Sequence, residues 1–491
     1  MYCKVLITKP FNKTFTYQVK SNEKVQVGSV VRVPFGNKKT QIGIVYDLSS
    51  NDIESKKFVI KEIDTIYEKL ILNKEIIRLI DWITNYTLAP KGMVLKLVLV
   101  NENIISHKYT EDKKEIFQSN SIKLNSEQEK AYKFIEKKII SSTSPIVLEG
   151  VTGSGKTEVY FRSIENILSQ KKQILLMLPE ISLTPQIEKR IEERFGFLPH
   201  IWHSKITEKQ KKNTWHRCFM GEPLIVVGAR SSLFLPFKNL GLIVLDEEHD
   251  LSYKQEDNIR YHARDLAIVR SQIEKIPIIL SSATPSLETY NNIYKKKFSH
   301  INLFSQYSGL DLPEIKLINL QKENLKSNKW ISSSILDELK NCIEKKEQAL
   351  LFLNRRGYSP LILCSDCGYR YHCEQCSSWL VMHRNKKRLL CHHCGTIYPV
   401  DSYCNSCKSQ DSLKLIGPGI ERLAEELKEI FPKYNIGIMS SDNANTTNKI
   451  KKIIESFSLK KIDILVATQI MAKGYHFPNL SFVGVIDADA G

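Results

Sequence analysis

The segment Gly150-Val151-Thr152-Gly153-Ser154-Gly155-Lys156-Thr157 constrains this chain more than any other feature. The apolar run Ile146-Val147-Leu148 before it reads as a buried strand, and Glu158 to Gln170 after it has helical spacing. A strand that turns through glycines into a helix presents backbone N–H groups, and the positive end of the helix, to a phosphate. Lys156 is then placed to reach the β- and γ-phosphates, and the Thr157 hydroxyl to ligate Mg²⁺. Such a unit demands a mostly parallel sheet and predicts a bound nucleoside triphosphate.

At 491 residues the chain has length for three or four domains. No run approaches the roughly eighteen apolar residues of a membrane span. The start, Met1-Tyr2-Cys3-Lys4-Val5, lacks a secretory signal, so a cytoplasmic protein with no membrane partner is expected. The 71 Lys and Arg against 54 Asp and Glu give a net charge of +17. That balance suits a polyanion such as nucleic acid, although a composition rich in Lys, Ile and Asn produces a basic chain by itself. Eight of the eleven cysteines fall between Cys364 and Cys407, all as C-x-x-C pairs, which in a reducing compartment read as metal ligands.

Residues 1–100 read as a separate unit. Val25 to Val45 alternates around Gly28, Gly36 and Gly43 as a small antiparallel sheet would, and Glu75 to Leu88 is amphipathic, with Ile76, Leu79, Ile80 and Ile83 on one helical face. The polar stretch 101–121 is expected to be a linker. From Leu124 onward strand and helix alternate, with short β-rich runs at 146–149, 173–178, 224–228, 241–245 and 277–281. A second set begins at Ala349-Leu350-Leu351-Phe352-Leu353 and resumes at 435–439, 463–467 and 482–487, interrupted after its first strand by the cysteines. The expected domains are 1–100, the linker 101–121, a first α/β lobe at 122–300, the start of a second at 301–363, a metal-binding insertion at 364–407 and the remainder at 408–491.

The run Leu242-Ile243-Val244-Leu245 ends in Asp246-Glu247-Glu248-His249. A buried strand delivering a carboxylate at its C-terminal end is the geometry needed to hold Mg²⁺ beside a phosphate loop. Asp246 is the expected Mg²⁺ partner, Glu247 the general base that orients the attacking water, and His249 a group that senses or relays nucleotide state. Ser281-Ser282-Ala283-Thr284-Pro285 follows the strand Ile278-Ile279-Leu280. Its small hydroxyl residues can contact the Asp-Glu-Glu-His segment; a simple turn at Pro285 accounts for them equally well.

Together, GVTGSGKT, DEEH and SSAT resemble motifs I, II and III of superfamily-two helicases. The longer segments VTGSGKTEVY, LPEISLTPQ, VGARSSLFLPF, DEEHDLSYKQED, SSATPSLET, FLNRRGY and ATQIMAKGYHFPNL, with the cysteine insertion, resemble the bacterial primosomal replication-restart helicase family, PriA. Val30-Val31-Arg32-Val33-Pro34-Phe35-Gly36 is similar to that family's N-terminal domain, which captures the 3′ end of a nascent strand. The resemblance implies an α/β fold of two RecA-like P-loop lobes, the second incomplete, with a zinc-binding insertion and a small β-rich DNA-binding domain. It implies ATP-driven 3′-to-5′ movement on single-stranded DNA, binding to branched forks, and reloading of the replicative helicase with single-stranded-DNA-binding protein and other primosome proteins. Arg230, Ser231, the stretch Tyr253 to Tyr261, Thr468 and Gln469 match positions that contact DNA or couple it to ATP; aromatic and basic groups in that stretch can stack on bases and pair with phosphates.

Three departures from the family pattern stand out. Phe15-Thr16-Tyr17 has Thr where the family usually has Asp, which bears on recognition of the 3′-terminal nucleotide. The stretch from Asn101 to Lys123 is too short for the family's winged helix. The sequence stops at Asp487-Ala488-Asp489-Ala490-Gly491, before motif VI and its arginines. An arginine at the transferring phosphoryl group is worth about 10³–10⁵ in rate, so the expectation is ATP binding with impaired hydrolysis. The alternative is a fork-binding, ATP-binding module with little turnover; an RNA-directed translocase with a zinc ribbon would instead prefer RNA.

The cysteine pairs are Cys364/Cys367, Cys373/Cys376, Cys391/Cys394 and Cys404/Cys407, eight thiolates for two tetrahedral Zn²⁺ sites. His372, His392 and His393 are expected bystanders. A hairpin from Ser377 to Leu390, turning at Arg384-Asn385-Lys386-Lys387, would face the two inner pairs against each other and leave the outer pairs to meet at the base. Sequential pairing is the alternative; the nested one agrees with the family.

Overall fold

The computed structural model describes all residues except 21–22, 37–38, 50–59, 106–116, 118–119, 121, 180–184, 306–312, 321–322, 324–328, 354–360, 384–387, 392, 400–401, 411, 417–418, 440–446, 469–476 and 489–491. They belong to two compact units, Met1–Leu312 and Pro313–Gly491. Much of FLNRRGY, Gln469, His392, most of the expected linker and the turn at 384–387 lie outside the described residues. Among the described residues no helix is long and apolar enough to cross a membrane.

The first unit opens with β1 (Tyr2–Ile7), β2 (Phe15–Gln18), β3 (Ser29–Pro34), β4 (Thr40–Ser49) and β5 (Thr65–Ile71), an antiparallel sheet in the order β2-β1-β4-β3-β5. Its alternation sorts side chains onto two faces. Leu6, Val30, Ile42 and Ile44 pack toward α1 (Lys74–Thr87) and α2 (Lys91–Leu99), whereas Val5, Ile7, Val31, Val33 and Val45 form a second cluster with Tyr17. The expected helical face Ile76, Leu79, Ile80 and Ile83 is buried. The stretch expected as linker begins with a short helix, α3 (Glu102–Ile105), whose Ile104 and Ile105 are buried.

The first α/β lobe continues the same unit. Its helices and strands are α4 (Ser126–Ser141), β6 (Ile146–Gly150), α5 (Lys156–Ser169), β7 (Gln173–Met177), α6 (Pro185–Phe195), β8 (His200–Trp202) and α7 (Glu208–Met220). Then come β9 (Ile225–Gly228), β10 (Leu240–Asp246), the hairpin β11 (Lys254–Gln255) and β12 (Tyr261–His262), α8 (Ala263–Glu274), β13 (Ile278–Ser282), α9 (Leu287–Tyr294) and β14 (Ser299–Leu303). Seven strands form a parallel sheet in the order β14-β6-β13-β10-β7-β9-β8. The N-terminal sheet and helices are fused to this lobe. From α7, the buried Trp215 donates through Nε1 to Val98 O at 2.9 Å, and His216 Nε2 donates to Ile104 O at 2.7 Å. One continuous apolar cluster joins α1 and α2 to Trp215, Phe219 and Phe237.

Five strands of this sheet follow the predicted runs; β8 and β14 were not anticipated. β14 pairs with β6 along its whole length, from Ser299↔Ile146 to Leu303↔Gly150, so the first lobe runs past the expected boundary at 300. Ser299-His300-Ile301-Asn302-Leu303 is an edge strand whose side chains, Leu303 apart, are half exposed, too polar for its apolar positions to stand out.

The second unit contains α10 (Ser333–Glu344), β15 (Gln348–Leu353), β16 (Leu361–Cys364), β17 (Val381–His383), β18 (Arg388–Leu390), β19 (Ile397–Pro399) and β20 (Leu413–Ile416). α11 (Ile420–Ile430), β21 (Ile436–Met439), α12 (Thr447–Ser458), β22 (Ile464–Ala467) and β23 (Leu480–Ile486) complete it. Its four-stranded parallel sheet, β21-β22-β15-β23, uses the four predicted runs. The antiparallel pair β16–β20 closes the base of the cysteine insertion, and β17-β18-β19 form a sheet within it.

Candidate nucleotide and metal sites

The phosphate loop connects β6 to α5. Gly153 and Gly155 have φ of 80° and 81°, a left-handed backbone that only glycine adopts without cost. A Cβ at Gly150 would come within 2.7 Å of Ser154 Oγ and 2.9 Å of Leu303 Cβ. The Ser154 hydroxyl is buried without a hydrogen-bond partner, an orphaned polar group in a cradle suited to phosphate. Lys156 Nζ donates to Gly150 O at 2.7 Å and to Val151 O at 3.4 Å, folded back over its own loop. Burial pushes the Lys156 ammonium below its ordinary pKa, against the pull of the neighbouring Glu247 and Asp246 carboxylates. The loop lysine and the strand-end carboxylates therefore share one site.

β10 ends at Asp246, two strands from β6 across β13. Asp246 Oδ1 accepts from Ser281 Oγ at 2.8 Å and from Glu247 N at 3.1 Å, while Oδ2 accepts from Tyr160 Oη at 3.0 Å. Its backbone carbonyl accepts from Tyr253 Oη at 2.7 Å. Glu247 has φ of 48°, a left-handed conformation uncommon outside glycine, and strain of this kind clusters at functional sites. His249 Nδ1 lies 2.8 Å from Ser282 Oγ and 3.6 Å from Glu247 Oε2. Ser281 and Ser282 thus contact the acidic segment from β13, and the predicted proximity of the two segments holds.

Two residues with structural weight here carried no clear signal. Glu248, fully buried, accepts from Arg264 Nη1 at 3.1 Å, Ser286 N at 2.7 Å and Thr289 Oγ1 at 3.0 Å. Removing one partner of a buried pair strands the other charge. Glu248→Ala is expected to destabilise the first unit by about 3–5 kcal/mol in denaturant unfolding, with Glu248→Gln milder; a change too small to measure would show the network to be dispensable. Gln128, also buried, donates through Nε2 to Ser154 O at 2.9 Å, while its Oε1 accepts from Asn125 N at 3.0 Å. The pattern Asn125-Ser126-Glu127-Gln128 is a capping-box signature that could have flagged it.

The stretch Tyr253 to Tyr261 needs correction. Tyr253 and Tyr261 are 1% and 8% exposed, the first bonded to Asp246 and the second packed edge-on against Phe234, so neither ring is free to stack on a base. Lys254 and Arg260 are exposed, and Arg230 Nη1 donates to Lys254 O at 2.6 Å. The carbonyls of Met177 and Asp246 draw the Tyr253 hydroxyl inward. In the N-terminal sheet Tyr17 is likewise buried and donates to Pro34 O at 3.1 Å, while Phe15 packs against Phe11 and Phe35.

The cysteines meet in two groups, Cys364, Cys367, Cys404 and Cys407, and Cys373, Cys376, Cys391 and Cys394, the sulfurs of each group lying within 4.8 Å of one another. Contacts of 3.7 Å for Cys364–Cys407 and Cys367–Cys404, 3.5 Å for Cys373–Cys394 and 3.3 Å for Cys376–Cys391 approach the edge of a tetrahedron. With Zn–S bonds of about 2.3 Å that edge is about 3.8 Å. Sulfur geometry and chemistry both fit zinc, and the nested pairing is the one observed. The hairpin that produces it is present, with Val381 opposite Leu390 and His383 opposite Arg388.

All four knuckles repeat one turn. The N–H groups of Gly368, Ser377, Gly395 and Lys408 return to the first cysteine's carbonyl at 2.8–2.9 Å, each with positive φ. Ser412 Oγ lies 3.2 Å from Cys364 Sγ and Tyr398 Oη 3.3 Å from Cys373 Sγ, the kind of outer support that orients metal ligands.

Comparison with known proteins agrees with this geometry. Residues 4–100 match the 3'DNA-binding domain (3'BD) family, 125–293 the DEAD/DEAH box helicases, 373–397 the PriA DNA helicase Cys-rich region and 401–491 the helicase conserved C-terminal domain. The replication restart protein PriA of Rickettsia conorii is 45% identical over 493 residues, covering 99% of this chain and 74% of that protein. Its counterpart in Rickettsia prowazekii is 46% identical over 494 residues, with coverage of 99% and 74%. That of Borreliella burgdorferi is 35% identical over 506 residues, with coverage of 100% and 74%. The two parallel sheets are RecA-like helicase lobes; the chain also carries an N-terminal DNA-binding domain and a cysteine-rich zinc ribbon. Sequence similarity along nearly its whole length, with each of these parts in order, places the chain in the PriA family of replication restart proteins.

Proposed function

We infer that this chain is an ATP-driven 3′-to-5′ DNA helicase that recognises stalled or branched forks in the cytoplasm and starts primosome assembly. The carrying observation is that β6, which leads into the loop at 150–157, and β10, which ends at Asp246, belong to one parallel sheet and are linked from α5 by the Tyr160–Asp246 bond of 3.0 Å, within the same compact unit as the 3′-DNA-binding domain. Residues 150–157 would hold the triphosphate, with Thr157 and Asp246 facing magnesium. A magnesium ion held there by Thr157 and Asp246 would supply positive charge to offset that of the phosphates. Glu247 would orient the attacking water. His249, bonded to Ser282, would report nucleotide state to the strand β13. Two zinc ions would hold the insertion, one per cysteine group. The domains proposed are 1–100, a linker at 101–121 entered through α3, a first lobe at 122–303, a second lobe beginning at 304–363, the zinc insertion at 364–407 and the rest of that lobe at 408–491. Single-stranded-DNA-binding protein, other primosome proteins and the replicative helicase are the proposed partners.

The test is phosphate release from ATP with forked DNA, single-stranded DNA, RNA or no nucleic acid. Stimulation greatest with the fork is the expected result. Nucleotide binding without any DNA-dependent release would leave a fork-binding module, and stimulation by RNA above DNA would refute the assignment.

A further inference from the structure

Tyr160 carries a hydroxyl that its packing does not require. It lies on α5, one turn beyond Lys156 and Thr157, 1% exposed and edge-on to Phe161 at 5.4 Å between ring centroids. A phenylalanine would fill that space. Yet its hydroxyl donates to Asp246 Oδ2 at 3.0 Å, and its oxygen is within side-chain hydrogen-bonding reach of Thr157. A phenol has one proton to give and lone pairs to receive. With the proton on Asp246, the Tyr160 oxygen can accept the Thr157 proton, which turns the Thr157 lone pairs outward.

The geometry points to Tyr160 as a positioning residue for magnesium: its hydroxyl ties Thr157 to Asp246 and sets the separation of the two groups that face the ion before nucleotide arrives. This rests on the reading of 150–157 and 246–247 as an ATP–magnesium site. Ser281 and the Glu247 N–H hold Asp246 Oδ1 from the other side, so rotation of the carboxylate is blocked at both oxygens. Hydrogen bonds of this outer kind are typically worth about 10–100-fold in metal affinity.

The experiment titrates MgCl₂ into wild-type and Tyr160→Phe protein in the presence of a fluorescent, non-hydrolysable ATP analogue, with a parallel series in EDTA. The variant is expected to need about 10-fold more magnesium for half-maximal tightening, with its affinity in EDTA unchanged. Identical magnesium dependence, or an equal loss in EDTA and in magnesium, overturns the proposal and leaves Tyr160 a space-filler. Failure of the wild type to bind the analogue at any magnesium concentration instead removes the ATP–magnesium reading. Should Tyr160→Phe not fold, 3-fluorotyrosine installed at position 160 keeps the contact. Its fluorine resonance is expected to move when magnesium joins the bound nucleotide, and indifference to magnesium overturns the proposal.

Discussion

Replacing Lys156 by alanine is expected to lower DNA-stimulated ATP turnover by about 10³-fold, equivalent to about 4 kcal/mol of transition-state stabilisation. Lys156 Nζ donates to the carbonyls of Gly150 and Val151, which hold it above the loop proposed to receive the phosphates. It is a positive group in a partly buried position, beside two carboxylates, where its attraction for a phosphate exceeds what bulk water would allow. Thermal melting without nucleotide should change little, because the side chain contributes no core packing. Steady-state phosphate release with forked DNA checks this, and a Lys156→Ala protein that turns over at the wild-type rate would show that another site hydrolyses ATP.

Stripping zinc is expected to unfold the insertion at 364–407 while nucleotide binding in the first unit persists. Structural zinc typically supplies about 10–16 kcal/mol of apparent binding energy, and for short strands such as β17, β18 and β19 that is most of the folding energy. The nested pairing makes a sharper statement. Cys373→Ser should expose Cys391 and Cys394 to alkylation and leave Cys364, Cys367, Cys404 and Cys407 protected, as read by mass spectrometry after iodoacetamide treatment. Labelling of Cys364 and Cys367 in their place would contradict the two sulfur groups.

The place of the candidate nucleotide site was legible because its pattern is local. The glycine spacing at 150–155 admits few backbone paths, and an apolar strand ending in Asp246-Glu247 has one natural place on a parallel sheet. The zinc ligands were legible for the same reason; a hairpin of ordinary length suggested their nested pairing but left the sequential one open, and the sulfur groups of the structure decide it. What escaped was set by neighbours distant in sequence. Glu248 looked like one more acid in a tetrad, since its partners Arg264, Ser286 and Thr289 arrive from α8, α9 and the turn between β13 and α9. The inward turn of Tyr253 depends on carbonyls at Asp246 and Met177, which no loop periodicity announces. β8 has three residues, too few for a pattern to emerge, and β14 lies at a sheet edge where one side of each strand is free to be polar.

The bond from Trp215 to Val98, with the apolar cluster around it, makes the 3′-DNA-binding domain a poor candidate for excision. A cut after Ile105 would bare the indole on one fragment and the flanks of α1 and α2 on the other, two sticky wounds in place of one interior. Any load on that domain would thereby pass straight into the first lobe.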